Sequence, residues 1–498
     1  MTVWVLGDQL NLEATPLQHE DHVLMIEAHE FGERLPYHPQ KLVLVFSAMR
    51  HFRDELRERG YEVTYICAEM FSEGLDRFYD ATPGTNLVMM DPPSHGAGER
   101  FRYLVESRGG SLTLVENDLF LTTPAEFDAW AGDASSYRQE HWYRHVRRET
   151  GILMDGDDPV GGEWNYDDQN RETPPDGWSP PEAPRFVPDE VTMEVIEFVR
   201  ERYPEAWGSL YEFVWPVTRK EARQALDHFV ENRLAEFGPY QDAMVRGEWA
   251  LCHSLLSAAI NLGLLTPHEV VTTVETAYRD GDVPLNSVEG FVRQVVGWRE
   301  FMRHVYRRSM PELTTANQLD QTESLPAGYW TGDTEMNCLS ETVGHVYGHG
   351  YAHHIERLMV LSNFALVYGV NPQELTRWFH LGFVDAYHWV TTPNVVGMGS
   401  FATDVLSSKP YASSGNYVNK MSDYCASCPY AVSETVGENS CPFNALYWDF
   451  LKRHEETLRG TGRMGLMYAH VDSKDDDEWE AISERAAKIR QMGRDGTL

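Results

Sequence analysis

The chain predicts two unequal parts: an N-terminal doubly wound (Rossmann-like) α/β domain, then a larger all-α domain. Three observations predict this division. Short apolar runs alternate with amphipathic stretches over residues 1–120, a proline-dense stretch interrupts the chain at 172–184, and helical periodicity dominates from Val191 onward. Strand–helix alternation is the pattern of a parallel sheet covered on both faces.

Taken in order, Val3–Leu6, Val23–Ile26, Leu42–Phe46, Val63–Ile66, Leu87–Met90 and Leu112–Val115 read as buried strands. Ala48–Gly60 has helical spacing and a terminal glycine. The first turn, Gly7-Asp8-Gln9, lacks the G-x-G-x-x-G spacing, which argues against an ordinary dinucleotide site, although strand ends of such sheets commonly bind some ligand. Residues 155–190 carry Asp155–Pro159 and the run Glu172–Pro184; proline at that density excludes helix and central strand and predicts a surface linker. The expected organisation is an α/β domain over 1–130, a linker over 131–190 and a helical domain over 191–498.

Among 498 residues, 42% are hydrophobic and 12% aromatic, the composition of a folded protein. No apolar run approaches the roughly 20 residues of a membrane span, and the N-terminus lacks a basic start leading into a cleavable apolar stretch, so a cytosolic location is expected. The net charge is −35, and only 7 of the 42 basic residues are lysines. A carboxylate-rich, lysine-poor shell fits adaptation to high salt, where the Debye length falls to about 3 Å at 1 M and exposed carboxylates cease to repel. Such acidity belongs to the surface and leaves room for a concave arginine-bearing site.

Six cysteines are too few for a disulfide scaffold. Cys67 and Cys252 sit in apolar or helical surroundings and read as buried packing residues. Cys338, Cys425, Cys428 and Cys441 form a set with a Cys-x2-Cys core and a Cys-Pro end. By count and spacing it fits zinc or an iron–sulfur cluster alike. Asn286–Arg303 has the apolar spacing of a helix but an unusual density of large polar groups. His253–Ser257 opens another helical stretch, where hydroxyls suit phosphate or serve as plain caps.

These segments carry a resemblance. Glu289–Arg303, the His253–Ser257 element, Tyr351–Val360 and Asp385–Trp389 are similar to the FAD-binding half of the photolyase/cryptochrome family. Gly7–Leu10, Ser47–Phe52, Pro159–Asn165, Asn337-Cys338, Lys409–Tyr417, Met421–Cys428 and Cys441–Phe450 resemble its iron–sulfur-containing prokaryotic branch, the bacterial (6-4) photolyases, across essentially the whole chain.

The resemblance implies FAD in the helical domain and a 4Fe–4S cluster on the four cysteines. It also implies UV-damaged DNA as partner, light-driven repair of (6-4) photoproducts, and a monomer without membrane or obligate protein partners. Ser254, Leu256, Ser257, Glu289, Arg293, Gln294, Trp298, Arg357, Asp385 and Asn394 are the expected cofactor contacts. His354 is the expected proton donor, beside His353, with Tyr411 and Tyr417 lining the lesion cavity; histidine suits that role because it titrates near neutrality. The second histidine of the eukaryotic enzymes is Leu358 here. Trp378 and Trp330 match two members of an electron-transfer chain, but Phe379 stands where the branch has an oxidisable tyrosine. Gly7, Asp8 and Gln9 match the start of an antenna site for 6,7-dimethyl-8-ribityllumazine or a deazaflavin; the acidic contact of that site falls on Phe31, with Glu30 beside it. Arg303, Arg307 and Arg308 are expected on phosphate. The rival readings are a cryptochrome-like photoreceptor, a cyclobutane-dimer photolyase and a DNA-binding scaffold with a structural metal.

Overall fold

The computed structural model describes residues 1–498 apart from 15, 18–20, 176 and 462–463. Asp176 of the proline-rich stretch therefore lies outside the described residues. Five parallel strands, β1 (Thr2–Val5), β2 (His22–Ala28), β3 (Glu62–Ala68), β4 (Asn86–Met90) and β5 (Ser111–Val115), form one sheet in the order β3-β2-β1-β4-β5. Side chains alternate between its faces. Val3, Val5, Val23 and Met25 meet the helix Pro39–Glu58, while Trp4, Leu24 and Ile26 meet the helices Phe71–Ala81 and Ala97–Glu106. Strand order reverses between β1 and β4, the place where doubly wound sheets open a crevice.

Five of the six expected strands form. The exception is Leu42–Phe46, which lies inside the helix Pro39–Glu58. His38 caps that helix by accepting from Gln40 N–H at 3.2 Å, and Pro39 occupies its first turn. The apolar run reflects burial on two sides. One face packs on the sheet, while on the other Lys41 Nζ donates to the carbonyls of His380 and Ala386 in the helical domain. A helix buried all round cannot be told from a buried strand by a short apolar run. Cys67 corrects a second expectation: it is exposed, on the edge strand β3, whereas Cys252 is buried.

The stretch expected as linker is partly folded. It contains the helix Gln139–Thr150, whose Tyr143 hydroxyl donates to Glu289 at 3.0 Å, and Arg147 there holds the carbonyls of Ile152, Leu153 and Trp164. Helices then follow one another to Asp495. The helical run Leu285–Ser309 is continuous through three segments, and a second apolar core gathers around the helices Asn337–His349, Pro372–Gly382, Pro442–Arg453 and Asp476–Asp495.

Burial gives the fold an acid-sensitive interior. His38, His349 and His353 are pushed down from 6.5 to about 4 and His304 to about 2, in each case first by burial. The unfolded chain therefore takes up these protons first. Their contribution to stability is intact above pH 6.5 and is lost as pH falls through about 4. Thermal midpoints measured at constant salt should drop steeply on acidification through this interval; a flat profile would show that these rings are solvated.

Candidate active site

Three helical stretches turn into π-helix where they pass one cavity: Arg293–Arg299, Glu356–Ser362 and Pro393–Gly399. A π turn holds an extra residue and commonly marks functional sites. The cavity has a volume of about 320 Å³. The first segment lends it Gln294, Trp298 and Arg299, the second Arg357, Leu358 and Ser362, the third Asn394, Met398 and Gly399. Ser254, Ser257, Asn261, Phe379, Phe383, Asp385 and His354 complete much of the wall. On the third segment Gly399 has no room for a side chain, since a Cβ would stand 2.8 Å from Ser362 Oγ.

Arg357 and Asp385 form a two-pronged pair, both N···O distances 3.1 Å, and the guanidinium lies over the Phe383 ring. The Ser257 hydroxyl donates to the same carboxylate at 2.7 Å and Asn261 to the Asp385 carbonyl at 3.0 Å. The loop leading into Ser257 is strained: Leu251 and Leu255 have φ of 40° and 60°. Buried Arg233 holds it by donating to the carbonyls of Ala250 and Leu251, which sets His253 and Ser254 against the cavity. Asn394 is fixed by its amide, which donates to Val390 O at 2.8 Å.

Three histidines meet beside this wall. His253 and His353 are buried and stacked, centroids 4.6 Å apart and planes 9° apart, while His354 stands edge-on to His253 at 5.3 Å. Burial holds His253 well below its ordinary value and His353 at about 4, so both rings are neutral. Their nitrogens lie within 4.8 Å of those of His354. Parallel rings cannot aim in-plane lone pairs at one ion, so the cluster is not a metal site. His354 alone is open, 41% exposed, with Nε2 3.3 Å from Asp242 Oδ1. Tyr417 also faces Asp242, its hydroxyl pushed up by burial and then by that carboxylate. Tyr411 is half-buried in the preceding loop.

Behind the cavity runs an aromatic stack. Phe379 and Phe383 lie parallel with centroids 5.1 Å apart, and Trp378, 0% exposed, meets Phe379 edge-on at 5.4 Å. Trp207 then stands between Trp378 at 5.8 Å, Trp330 at 6.1 Å and Tyr347 at 5.6 Å. Its indole N–H donates to Trp330 O at 2.8 Å. Tyr347 is 47% exposed, so the stack reaches solvent.

The four cysteines border one small cavity among Met336, Val418, Val432 and Phe443. Cys338 is pushed well above the ordinary thiol range by burial and by its three neighbours, Cys425 to about 11 and Cys441 to about 12, burial first in both. Gly415 leaves room for sulfur, since a Cβ there would stand 2.8 Å from Cys441 Sγ. An all-sulfur donor set in an apolar shell fits zinc or an iron–sulfur cluster.

Other expected residues stand elsewhere. Glu289 and Arg293 face away from the cavity: Glu289 accepts from Tyr143 and from the Tyr166 backbone, and Arg293 pairs with Asp167. Leu256 is buried behind the wall. Arg303 is buried with its guanidinium over Phe120, and Arg307 and Arg308 both pair with Asp128, so the three are engaged with the N-terminal half, away from the histidine opening. Gln9 uses its amide on Met90 O and Leu6 N, Asp8 is raised to about 6 by burial, and a Cβ on Gly7 would press on Met49. Phe31 stacks on Tyr37. Asp242, Arg233 and Trp207 were not visible as site residues in the sequence, because each joins segments far apart in the chain.

An α/β sheet domain set against a helical domain with a deep interior cavity is the photolyase architecture. A bacterial class III photolyase from Agrobacterium tumefaciens shares it with a TM-score of 0.57 at 15% identity, over 84% of this chain and 86% of that one. An archaeal photolyase from Sulfolobus tokodaii with two FAD molecules gives 0.52 at 15% identity, over 81% and 83%. In sequence, a (6-4) photolyase of Agrobacterium fabrum is 40% identical over 97% of this chain and 98% of its own length. An uncharacterized protein of Acanthamoeba polyphaga mimivirus is 29% identical over 27% of this chain and 71% of its own length. Residues 3–215 match the family described as deoxyribodipyrimidine photo-lyase-related protein. The chain belongs to this photolyase-related family.

Proposed function

We propose that the protein repairs (6-4) pyrimidine–pyrimidone photoproducts in UV-damaged DNA under blue light, with His354 as proton donor. The observation that carries this is a single open histidine, paired with Asp242, at a cavity walled by three π-helical segments in a chain of this family. FAD fits that cavity, held by Ser254, Ser257, Gln294, Trp298, Arg357, Asp385 and Asn394; when bound it supplies the light-driven electron chemistry. The chain's own part is geometric and acid–base. Arg357 and Asp385 fix a charge pair against the cofactor, the Asp242 carboxylate stands against His354 Nε2 and orients that ring, and Nδ1 is the nitrogen left to hold a proton toward the lesion. Tyr417 and Tyr411 border the space for a flipped base, and Arg171, 3.9 Å from Asp242, is an exposed cation beside this mouth.

A 4Fe–4S cluster on Cys338, Cys425, Cys428 and Cys441 completes the reading, favoured over zinc by the family resemblance. The lumazine or deazaflavin antenna would sit at Gly7, Asp8 and Gln9, where Phe31 replaces the acidic contact. The protein is expected in the cytoplasm of a salt-adapted cell; no helix among the described residues is long and apolar enough to cross a membrane.

The test mixes reduced protein at high salt with oligonucleotides bearing a (6-4) product or a cyclobutane dimer, under blue light and in the dark. Light-dependent recovery of intact bases from the (6-4) strand alone supports the reading. Recovery from the dimer alone, or from neither strand with flavin bound, overturns it in favour of a dimer photolyase or a photoreceptor.

Trp207 supplies the step that Phe379 cannot, since it touches both Trp378 and Trp330. Replacing it by phenylalanine should slow light-driven bleaching of the bound flavin, with an external thiol as reductant, by about tenfold or more, equivalent to about 1.4 kcal/mol in barrier. Unchanged bleaching would remove Trp207 from the relay.

A further inference from the structure

One buried carboxylate, Glu356, joins the segments that carry the cysteines to those that line the cavity. It is fully buried, and among the described residues its ion-pair partners are histidines only. It accepts hydrogen bonds from His345 Nδ1 at 2.9 Å, the Tyr424 hydroxyl at 2.8 Å and the His353 backbone N–H at 3.3 Å. His353 Nε2 lies 3.5 Å from its other oxygen. Burial alone would raise the carboxyl; the adjacent imidazoles of His353 and His345 and the bonds from His345 and Tyr424 outweigh it and hold the group at about 2. His345 moves the opposite way: burial would lower it, but Glu356 first, then Glu341 and Glu248, raise it. A buried carboxylate–imidazole pair thus forms the centre of the network.

The origin of each partner gives the network its meaning. His345 lies two turns along the helix Asn337–His349 from Cys338. Tyr424 directly precedes Cys425, and its carbonyl accepts from the Asn337 amide at 3.2 Å, while that amide also reaches Ser427 Oγ at 3.1 Å. On the other side Glu356 is two residues from His354 and adjacent to Arg357. Neither Glu356, His345 nor Tyr424 borders the cavity. A buried ion pair is a poor source of stability, because well-packed apolar groups often serve as well; fixing geometry is its better-attested use.

We propose that Glu356 is a positioning residue that locks the cysteine-bearing segments to the His353–Arg357 turn, so that the geometry of the four-cysteine site sets the orientation of His354. Its kinetic consequence rests on the repair function proposed above; its structural consequence does not.

The test uses the full chain loaded with flavin and metal, with isotope-labelled histidine observed by NMR and His354 assigned from H354A. E356Q should abolish the raised titration of His345 and displace the His354 resonance. It should also lower kcat for light-driven repair with KM for damaged DNA unchanged, and E356D should retain most of the wild-type behaviour. Y424F removes one hydrogen bond and no charge; it should displace His354 in the same direction while flavin and iron contents stay at wild-type levels. Chelating the iron from the wild type should displace it too. His354 resonances that coincide with wild type in both Y424F and the chelated protein would overturn the proposal, even where E356Q fails to fold. A wild type that repairs nothing would defeat the functional reading and leave the NMR comparison standing.

Discussion

His354→Ala should abolish light-driven repair while leaving flavin and cysteine-bound metal in place. The ring is the open member of the histidine cluster, and its polar partner is Asp242 at 3.3 Å. Its neighbours are held independently: His353 by the stack on His253, and Arg357 by its two bonds to Asp385. Removing a positioned general acid costs roughly 10²–10⁴-fold in rate, so turnover should fall by at least about 100-fold. Because the side chain is 41% exposed, the stability cost should stay within about 1 kcal/mol. Chromatography of the repaired strand, the flavin absorbance of the purified variant and a thermal melt check the three statements together. Repair within a few-fold of wild type would move the donor elsewhere; loss of flavin would make His354 a structural residue.

Cys441→Ser should be the most damaging single change to the helical domain. Cys441 directly precedes the helix Pro442–Arg453, whose Phe443, Leu446, Phe450 and Leu451 lie in the second core. Burial first, then neighbouring thiols, pushes Cys338, Cys425 and Cys441 up, and metal binding reverses that by displacing their protons. If the four cysteines hold the cluster proposed above, the three left after the substitution would hold it weakly, and the turn Tyr424–Ser427 would lose its anchor. Iron content by elemental analysis should fall to near zero. The thermal midpoint should drop by roughly 1–2 °C for each kcal/mol lost. Acid should strip metal from the wild type for the same reason. Full iron retention in the variant would show that Cys441 is a packing residue beside some other ligand set.

Much of this was legible in the sequence because it is local. Five strands announced themselves as apolar runs, and Gly60 marked a helix end with its left-handed φ of 90°. The four cysteines that border one small cavity could be grouped from spacing, and the His353–Arg357 turn and much of the larger cavity's wall from motif resemblance. What failed was what depends on the far side of a residue. Leu42–Phe46 is apolar for two neighbours, a sheet and a helical domain, and so imitated a strand. Arg307 and Arg308 are expected on phosphate from the sequence, whereas Asp128 stands against both. Glu289 and Arg293 share a helical run with Gln294 and Trp298 but point toward the 139–170 segment, and no periodicity says which face of a wholly buried helix meets the cavity. Asp242, Trp207 and Glu356 act through contacts between distant segments, which a single sequence cannot pair.

The three π-helical segments bear on how this protein can change. Each carries one residue more than a regular helix of the same path would need, and in each that surplus falls beside the cavity. A single-residue deletion in any of them would let the helix relax to ordinary winding, strengthening its backbone bonds and drawing the wall inward. Such shortened variants should be sturdier and emptier: folded and heat-resistant, with no room left for the cofactor. The room in the cavity thus depends on three local irregularities, each of which gives up regular winding for space.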